Sequence, residues 1–316
     1  MSQRILERGE IETLLQRSIP RVRLPDRSQL FSRRAARLRE LATDSAIGAY
    51  LHILAAIAEA QHAALATFRT TLPTAQQIAL AREHSMPPLH ATSWPRDPAW
   101  RALARTIAAA AAGTPGAPPA LAALSARIRE ATPDWAEAQA DAVLAAHNEH
   151  VDTATAPFVA AALQVHWTAL TAAFAADAIG TIDVPGVCPL CGSLPVASIV
   201  AAHTPYQGYR YLHCGLCATE WHMVRVQCSH CGASGKDIAY RYLEKENVQS
   251  GEHGLAAVRA ETCEQCHSYR KIVYQEKDPQ VEPLADDIAT LSLDLLLGEN
   301  GYHRVSPNPL LWQRTE

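Results

Sequence analysis

All eight cysteines of this chain fall in Cys-x-x-Cys pairs: Cys188-Pro-Leu-Cys191, Cys214-Gly-Leu-Cys217, Cys228-Ser-His-Cys231 and Cys263-Glu-Gln-Cys266. A two-residue spacer lets one tight knuckle aim both sulfurs at a single cation, with backbone amides free to hydrogen-bond the thiolates. Two knuckles supply four ligands and close a tetrahedral site with metal–sulfur distances of about 2.3 Å. A closed site leaves no position for substrate or water. It can hold structure together or pass one electron, but it cannot carry out hydrolysis.

Eight ligands make two sites. Sequential grouping puts Cys188, Cys191, Cys214 and Cys217 on one ion and Cys228, Cys231, Cys263 and Cys266 on the other. A cross-brace would alternate the pairs. The spacers inside the sequential groups are 22 and 31 residues, each long enough for a strand–turn–strand hairpin. The texture of the chain repeats accordingly: Tyr209-Arg-Tyr-Leu-His-Cys-Gly-Leu-Cys217 is answered by Val258-Arg-Ala-Glu-Thr-Cys-Glu-Gln-Cys266. A tandem repeat in which each round completes its own site favours the sequential grouping. Thiolate tetrahedra suit zinc and mononuclear iron alike. The Cys188-Pro-Leu-Cys191-Gly192 pattern occurs in both rubredoxin knuckles and zinc ribbons, so spacing leaves the metal open.

Disulfides are the first rival reading of the pairs. The N-terminus, Met1-Ser-Gln-Arg-Ile-Leu-Glu-Arg-Gly-Glu10, has charges where a signal peptide needs an apolar core, which points to a cytoplasmic location where thiols stay reduced. A thioredoxin-like pair needs a βαβ setting, whereas strand patterns flank every pair here. His147-Asn-Glu-His150 places two imidazoles three apart with no third ligand in view, so a solvated helix end is the reading adopted. His213, His222, His230 and His267 lie beside the knuckles and are assigned supporting or exposed roles, since eight sulfurs already make two sites. No Ser-His-Asp constellation, phosphate loop or dinucleotide fingerprint is present.

The elements that must position these cysteines are legible from composition. The chain has 316 residues, 48% hydrophobic and 19% charged, which is globular and of about two-domain length. The first 185 residues are alanine-rich and carry seventeen arginines, no lysine and seventeen acids. Helices are expected over 28–43, 46–68, 98–112, 119–131, 134–149 and 156–179. The second of these has two apolar stripes and is expected in the middle of a bundle; His52, Glu59, Gln61 and His62 rule it out as a membrane span. On the first, the arginines are expected mostly off the stripe Leu30, Ala35, Leu38, Leu41. Short strands are expected over 196–200, 209–213, 221–226, 239–243, 256–261 and 271–275, with Tyr211 and Trp221 packing the core. A final helix from Pro283 is expected to bury Leu284, Ile288, Leu291 and Leu295, to stop at Gly298, and to present Asp286 and Asp287 to its own N-terminal dipole.

The fold class is therefore α+β: an N-terminal all-helical domain (1–185), two tandem rubredoxin-like or zinc-ribbon four-cysteine modules (186–226 and 227–277), and a C-terminal helix and tail (278–316). Each module is too small to bury an adequate core alone, so metal is expected to hold it, while the helical part is expected to stand by itself. Residues 186–277 carry nine basic and eight acidic groups. That balance argues against nucleic acid as partner, since phosphate binders concentrate positive charge.

The motifs extend beyond the cysteines. Cys188-Pro-Leu-Cys191-Gly-Ser, the run from Tyr209 to Thr219-Glu-Trp221, Arg225-Val-Gln-Cys-Ser-His-Cys-Gly232, Lys277-Asp-Pro-Gln-Val-Glu-Pro-Leu-Ala-Asp-Asp287 and Gly301-Tyr-His-Arg-Val-Ser-Pro-Asn-Pro309 resemble the FdhE family of formate dehydrogenase accessory proteins. Ile5-Leu-Glu-Arg-Gly-Glu-Ile11, Leu24-Pro25 and Arg34-Ala-Ala-Arg-Leu-Arg-Glu-Leu41 fit the same family. The resemblance implies a cytoplasmic, non-enzymatic maturation factor whose partner is the catalytic subunit of respiratory formate dehydrogenase. It also implies rubredoxin-like sites that hold iron, with zinc as the alternative. The acidic 282–287 segment is read either as part of the client contact or as a complement to the helix dipole. A rubredoxin-type electron carrier and a nucleic-acid-binding ribbon protein are the rival functions. Oligomeric state is not readable.

Overall fold

The structure, a computed structural model, describes residues 20–43, 45–145, 148–180, 182, 184–203, 207–243 and 257–311. The 5–11 motif and His147 lie outside the described residues. A short strand β1 (Val22–Arg23) precedes seven helices: α1 (Leu30–Ala42), α2 (Gly48–Thr67), α3 (Ala75–Glu83), α4 (Trp100–Ala112), α5 (Pro119–Glu130), α6 (Pro133–Ala145) and α7 (Ala156–Thr171). Pro119 and Pro133 open their helices, where a missing N–H costs nothing. Helix α2 buries both expected stripes, Leu51, Leu54, Ala58 and Leu65 on one and Ile53 and Ile57 on the other, against α1, α4 and α7, and the most enclosed helix is α7, in which every residue except Pro157 is buried. Its alanines let α2, α4 and α6 approach closely. Helix α3, not expected from apolar periodicity, buries no residue and is held by a capping box between Thr74 and Gln77.

The two cysteine rounds build one continuous sheet. Strands β2 (Pro195–Val200), β3 (Arg210–Cys214), β4 (Glu220–His222), β5 (Ile238–Arg241), β6 (Val258–Cys263) and β7 (Ser268–Tyr274) run in the order β1-β4-β3-β2-β7-β6-β5. Each round is an antiparallel hairpin set, and the rounds join where β2 lies parallel to β7, with Ile199 opposite Val273. Two strands unseen in the sequence complete it: β1 pairs with β4, and β8 (His303–Arg304) with β7. Tyr211 and Trp221 are both buried, as expected.

The chain after β7 departs most from its sequence pattern. Instead of one helix there are two, α8 (Pro283–Ala289) and α9 (Leu291–Glu299), broken at Thr290. The break follows from Lys271, fully buried on β7, whose ammonium donates to the carbonyls of Asp287 at 2.7 Å and Thr290 at 2.9 Å and to Asp294 Oδ2 at 2.6 Å. The break rotates the second half, so Leu293 and Leu297 are buried while Leu295 is 70% exposed. Gly298 lies inside α9, and the left-handed stop is Gly301. The acids are neither exposed nor mere dipole complements. Glu282 caps α8 through the amides of Leu284 and Ala285 and pairs with Arg34 at 2.9 Å. Asp286 pairs with Arg37 at 2.6 Å, and Asp287 pairs with Arg304. Arg34 and Arg37 therefore sit on the buried face of α1, contrary to the expectation that its arginines fall off the stripe. Although burial opposes it, bonds to Asp286 and Glu40 hold the Arg37 guanidinium above its ordinary range.

Two stability predictions follow from buried charge. Removing one partner of a buried pair strands the other, at a cost of about 3–5 kcal/mol. Arg37→Met, which strands the buried Asp286, is therefore expected to lower the urea midpoint severely, while Leu295→Ala changes stability by less than about 0.5 kcal/mol. Comparable midpoints for the two variants would refute the anchoring role. The second concerns His166, which is fully buried on α7 against Phe68 and Trp167, with neither ring nitrogen partnered among the described residues. Burial pushes its pKa down to about 4 from an ordinary 6.5. Between those values the unfolded chain binds a proton that the folded protein does not. Stability should be intact above the upper value and fall toward the lower one by about 1.4 kcal/mol per pH unit. His166→Phe should flatten that part of the pH profile; an identical slope would show that the imidazole is not the group responsible.

Candidate metal centres

The structure brings the eight cysteines together in the sequential grouping. Cys188, Cys191, Cys214 and Cys217 converge at one point and Cys228, Cys231, Cys263 and Cys266 at another, with all sulfurs of each set within 4.8 Å of one another. Closest separations are 3.4 Å for Cys191–Cys214, 3.5 Å for Cys188–Cys217, 3.6 Å for Cys231–Cys263 and 3.8 Å for Cys228–Cys266. These are far beyond the ~2.05 Å of a disulfide and match the edge of a tetrahedron with ~2.3 Å metal–sulfur bonds, about 3.8 Å. The donor set fits a thiophilic cation, and no position of the tetrahedron is left over.

The knuckles are built alike. In the leading knuckle of each round the cysteine amide bonds a carbonyl five residues on, Cys188 to Ser193 at 2.9 Å and Cys228 to Ala233 at 2.7 Å. Knuckle amides also point at sulfur: Leu216 and Cys217 donate to Cys214 Sγ, and His230 to Cys228 Sγ, all at 3.4 Å. The residue after the second cysteine of every pair is left-handed, at Gly192, Ala218, Gly232 and His267. At Gly192 glycine is needed twice over, because a Cβ would also lie 2.9 Å from the His90 ring.

The two sites differ in surroundings. The first is sealed: its four cysteines are fully buried and share one apolar core with the helical bundle. Leu89 and Ala91 donate backbone bonds to Leu190 and Cys191 at 2.9 and 2.8 Å, Gln164 donates to the Gly215 carbonyl at 2.7 Å, and Thr171 to that of Cys217 at 3.2 Å. Burial pushes the Cys188 and Cys217 thiols well up; against the same burial, contacts from Cys188, Cys214 and Cys217 hold Cys191 well down. Four thiolates in so dry a cage need a cation among them. The second site lies toward the surface, with Cys231 exposed and Cys266 half-buried.

Histidine enters neither set. His213 is buried and lies 3.1 Å from Glu220, and His230 and His267 are exposed. Sequence reading passed over hydroxyls two residues beyond the trailing knuckles: Thr219 Oγ1 lies 3.2 Å from Cys217 Sγ, and Ser268 Oγ 3.0 Å from Cys266 Sγ. Their shared offset in the repeat was the available signal.

A helical bundle sealed onto a sheet that carries two four-sulfur cages, each able to hold a metal ion, defines an α+β protein with paired rubredoxin-like or zinc-ribbon-like cysteine modules. The comparisons narrow that class. Family models described as FdhE, N-terminal, FdhE, central domain and FdhE, C-terminal domain match residues 19–182, 187–225 and 226–311. The FdhE homolog of Cronobacter sakazakii is 39% identical over 99% of this chain and 98% of its own, and that of Serratia proteamaculans 38% identical over 99% of both. The crystal structure of the FdhE protein from Pseudomonas aeruginosa matches with a TM-score of 0.80 at 38% identity, covering 92% of this chain and 99% of that one. The chain belongs to the FdhE family, the formate dehydrogenase accessory proteins.

The helical part and the first cage share one apolar core, so their stabilities are expected to be coupled. Cys214→Ser is expected to lower the thermal midpoint of the helical circular-dichroism signal together with metal content. Cys263→Ser should lose metal while most of that signal stays. Equal effects of the two variants on the helices would contradict the sealed-seam description.

Proposed function

We propose that this chain is a cytoplasmic accessory protein that binds the catalytic subunit of respiratory formate dehydrogenase during its assembly, and that it performs no catalysis of its own. Its eight cysteines, Cys188, Cys191, Cys214, Cys217, Cys228, Cys231, Cys263 and Cys266, are the proposed ligands of two metal ions, iron before zinc. Membership of the FdhE family supports the client. The observation that carries the rest is the completeness of both sulfur tetrahedra. Four protein ligands fill the coordination of a thiophilic ion and leave no open position for a substrate, so the ions' chemistry is that of a brace or a one-electron site. No helix among the described residues is long and apolar enough to cross a membrane. The half-open second site keeps an electron-carrier reading as the alternative.

Capture with a tagged full-length chain from anaerobically grown cells, probed for the formate dehydrogenase catalytic subunit, should enrich that subunit. Its absence from the captured material would overturn the client assignment. Elemental analysis and an absorption spectrum of oxygen-free protein should give two metal equivalents with sulfur-to-iron charge-transfer bands. A colourless protein with two zinc ions would retain the scaffold and reject iron.

A further inference from the structure

Arg270 lies on β7 four residues beyond Cys266 and is 3% exposed. Its Nε donates to Ser229 Oγ at 2.9 Å, and Ser229 is the residue between Cys228 and His230 in the second site's leading knuckle. Its Nη1 donates to the Pro195 carbonyl and to Ser306 Oγ. Its Nη2 is buried and has no hydrogen-bond partner among the described residues. Burial pushes this guanidinium down to about 9, so it remains cationic at neutral pH.

The charges around it do not balance. Arg210, fully buried on β3, takes Glu261 as its partner at 2.8 Å. The next cation, Arg304, is matched by Asp287 and Asp294. Two guanidiniums thus share one carboxylate, leaving a buried excess of one positive charge within electrostatic reach of Cys228. An uncompensated buried charge is among the most costly arrangements in a protein. Four thiolates around one divalent cation carry two negative charges, so the missing counter-charge is what a filled second cage would supply.

We propose that Arg270, backed by Arg210 and Glu261, is the built-in counter-cation of the second four-cysteine site. It is a positioning residue: it favours the doubly negative tetrathiolate of a divalent ion and fixes the leading knuckle through Ser229. The inference rests on the proposed reading that this cysteine set holds metal.

The test uses full-length wild type, Arg270→Met, Arg270→Lys and Glu261→Gln, stripped and reloaded with zinc alone at pH 8, with competition by a chromophoric chelator resolving the two sites. Arg270→Met should weaken the second site about 10–100-fold, the usual effect of losing a residue that supports a ligand, and Arg270→Lys should recover most of the loss. Glu261→Gln raises the buried excess by one more positive charge and should tighten the second site. A purely structural role predicts loss in both Arg270→Met and Glu261→Gln. Weakening by Glu261→Gln, or unchanged affinity in Arg270→Met, overturns the proposal even if one variant folds poorly. Wild type that takes up zinc at the first site only would instead defeat the metal reading of the second cage.

Discussion

Four sulfurs cannot ionise together in a dry interior without a cation between them, and the sealed first cage places that constraint at the centre of this molecule. Its knuckles are not an appendage. The apolar core runs without interruption from Trp100 and Trp167 in the bundle to Cys188, Leu190 and Cys217. Helix α7 reaches across with Gln164 and Thr171 to bond knuckle carbonyls, and the 89–91 segment does the same from the loop before α4. A cation there would brace the seam between helices and sheet as well as a single ribbon.

Buried ion pairs set the second level of order. Arg34 and Arg37 on α1 clasp Glu282 and Asp286, while Lys271 and Arg304 clasp Asp287 and Asp294 on the sheet side. Apolar packing could hold the C-terminal segment as firmly, because desolvation consumes most of the gain from buried charge. What the ions add is register: Glu282 and Asp286 each meet one arginine of α1, and Asp287 and Asp294 share Lys271 and Arg304, so a slide along the bundle would break several pairs at once. The same chemistry breaks the last helix, since the Lys271 ammonium takes carbonyls that a continuous helix would keep for itself.

The two cages therefore differ in what surrounds them. One is enclosed by the bundle, and the other lies toward the surface, with Cys231 exposed and Cys266 half-buried.

The sequence by itself determined the cages and most of the helices. Knuckle spacing and the repeat are local properties, because sulfur–sulfur geometry is set within four residues of chain, and the 3.6-residue period marked α1, α2, α4, α5, α6 and α7 within a few residues of their ends, α7 stopping short of its expected end. Even α3 had a local signature in Thr74 and Gln77, overlooked because the helix buries nothing. Tertiary structure alone decided what depends on residues far apart. The parallel union of β2 with β7 joins strands some seventy residues apart in the chain, a pairing to which no neighbouring residue testifies. Arg34 and Arg37 read as lying off the buried stripe and Asp286 as a complement to its own helix dipole until the segments carrying them, some 250 residues apart, meet. The left-handed turns at Ala218 and His267, unlike those at Gly192 and Gly232, carry no glycine to announce them. Which cage is sealed and which is open likewise belonged to the tertiary structure, because burial is a property of what packs against a site, and the two sites are nearly alike in sequence.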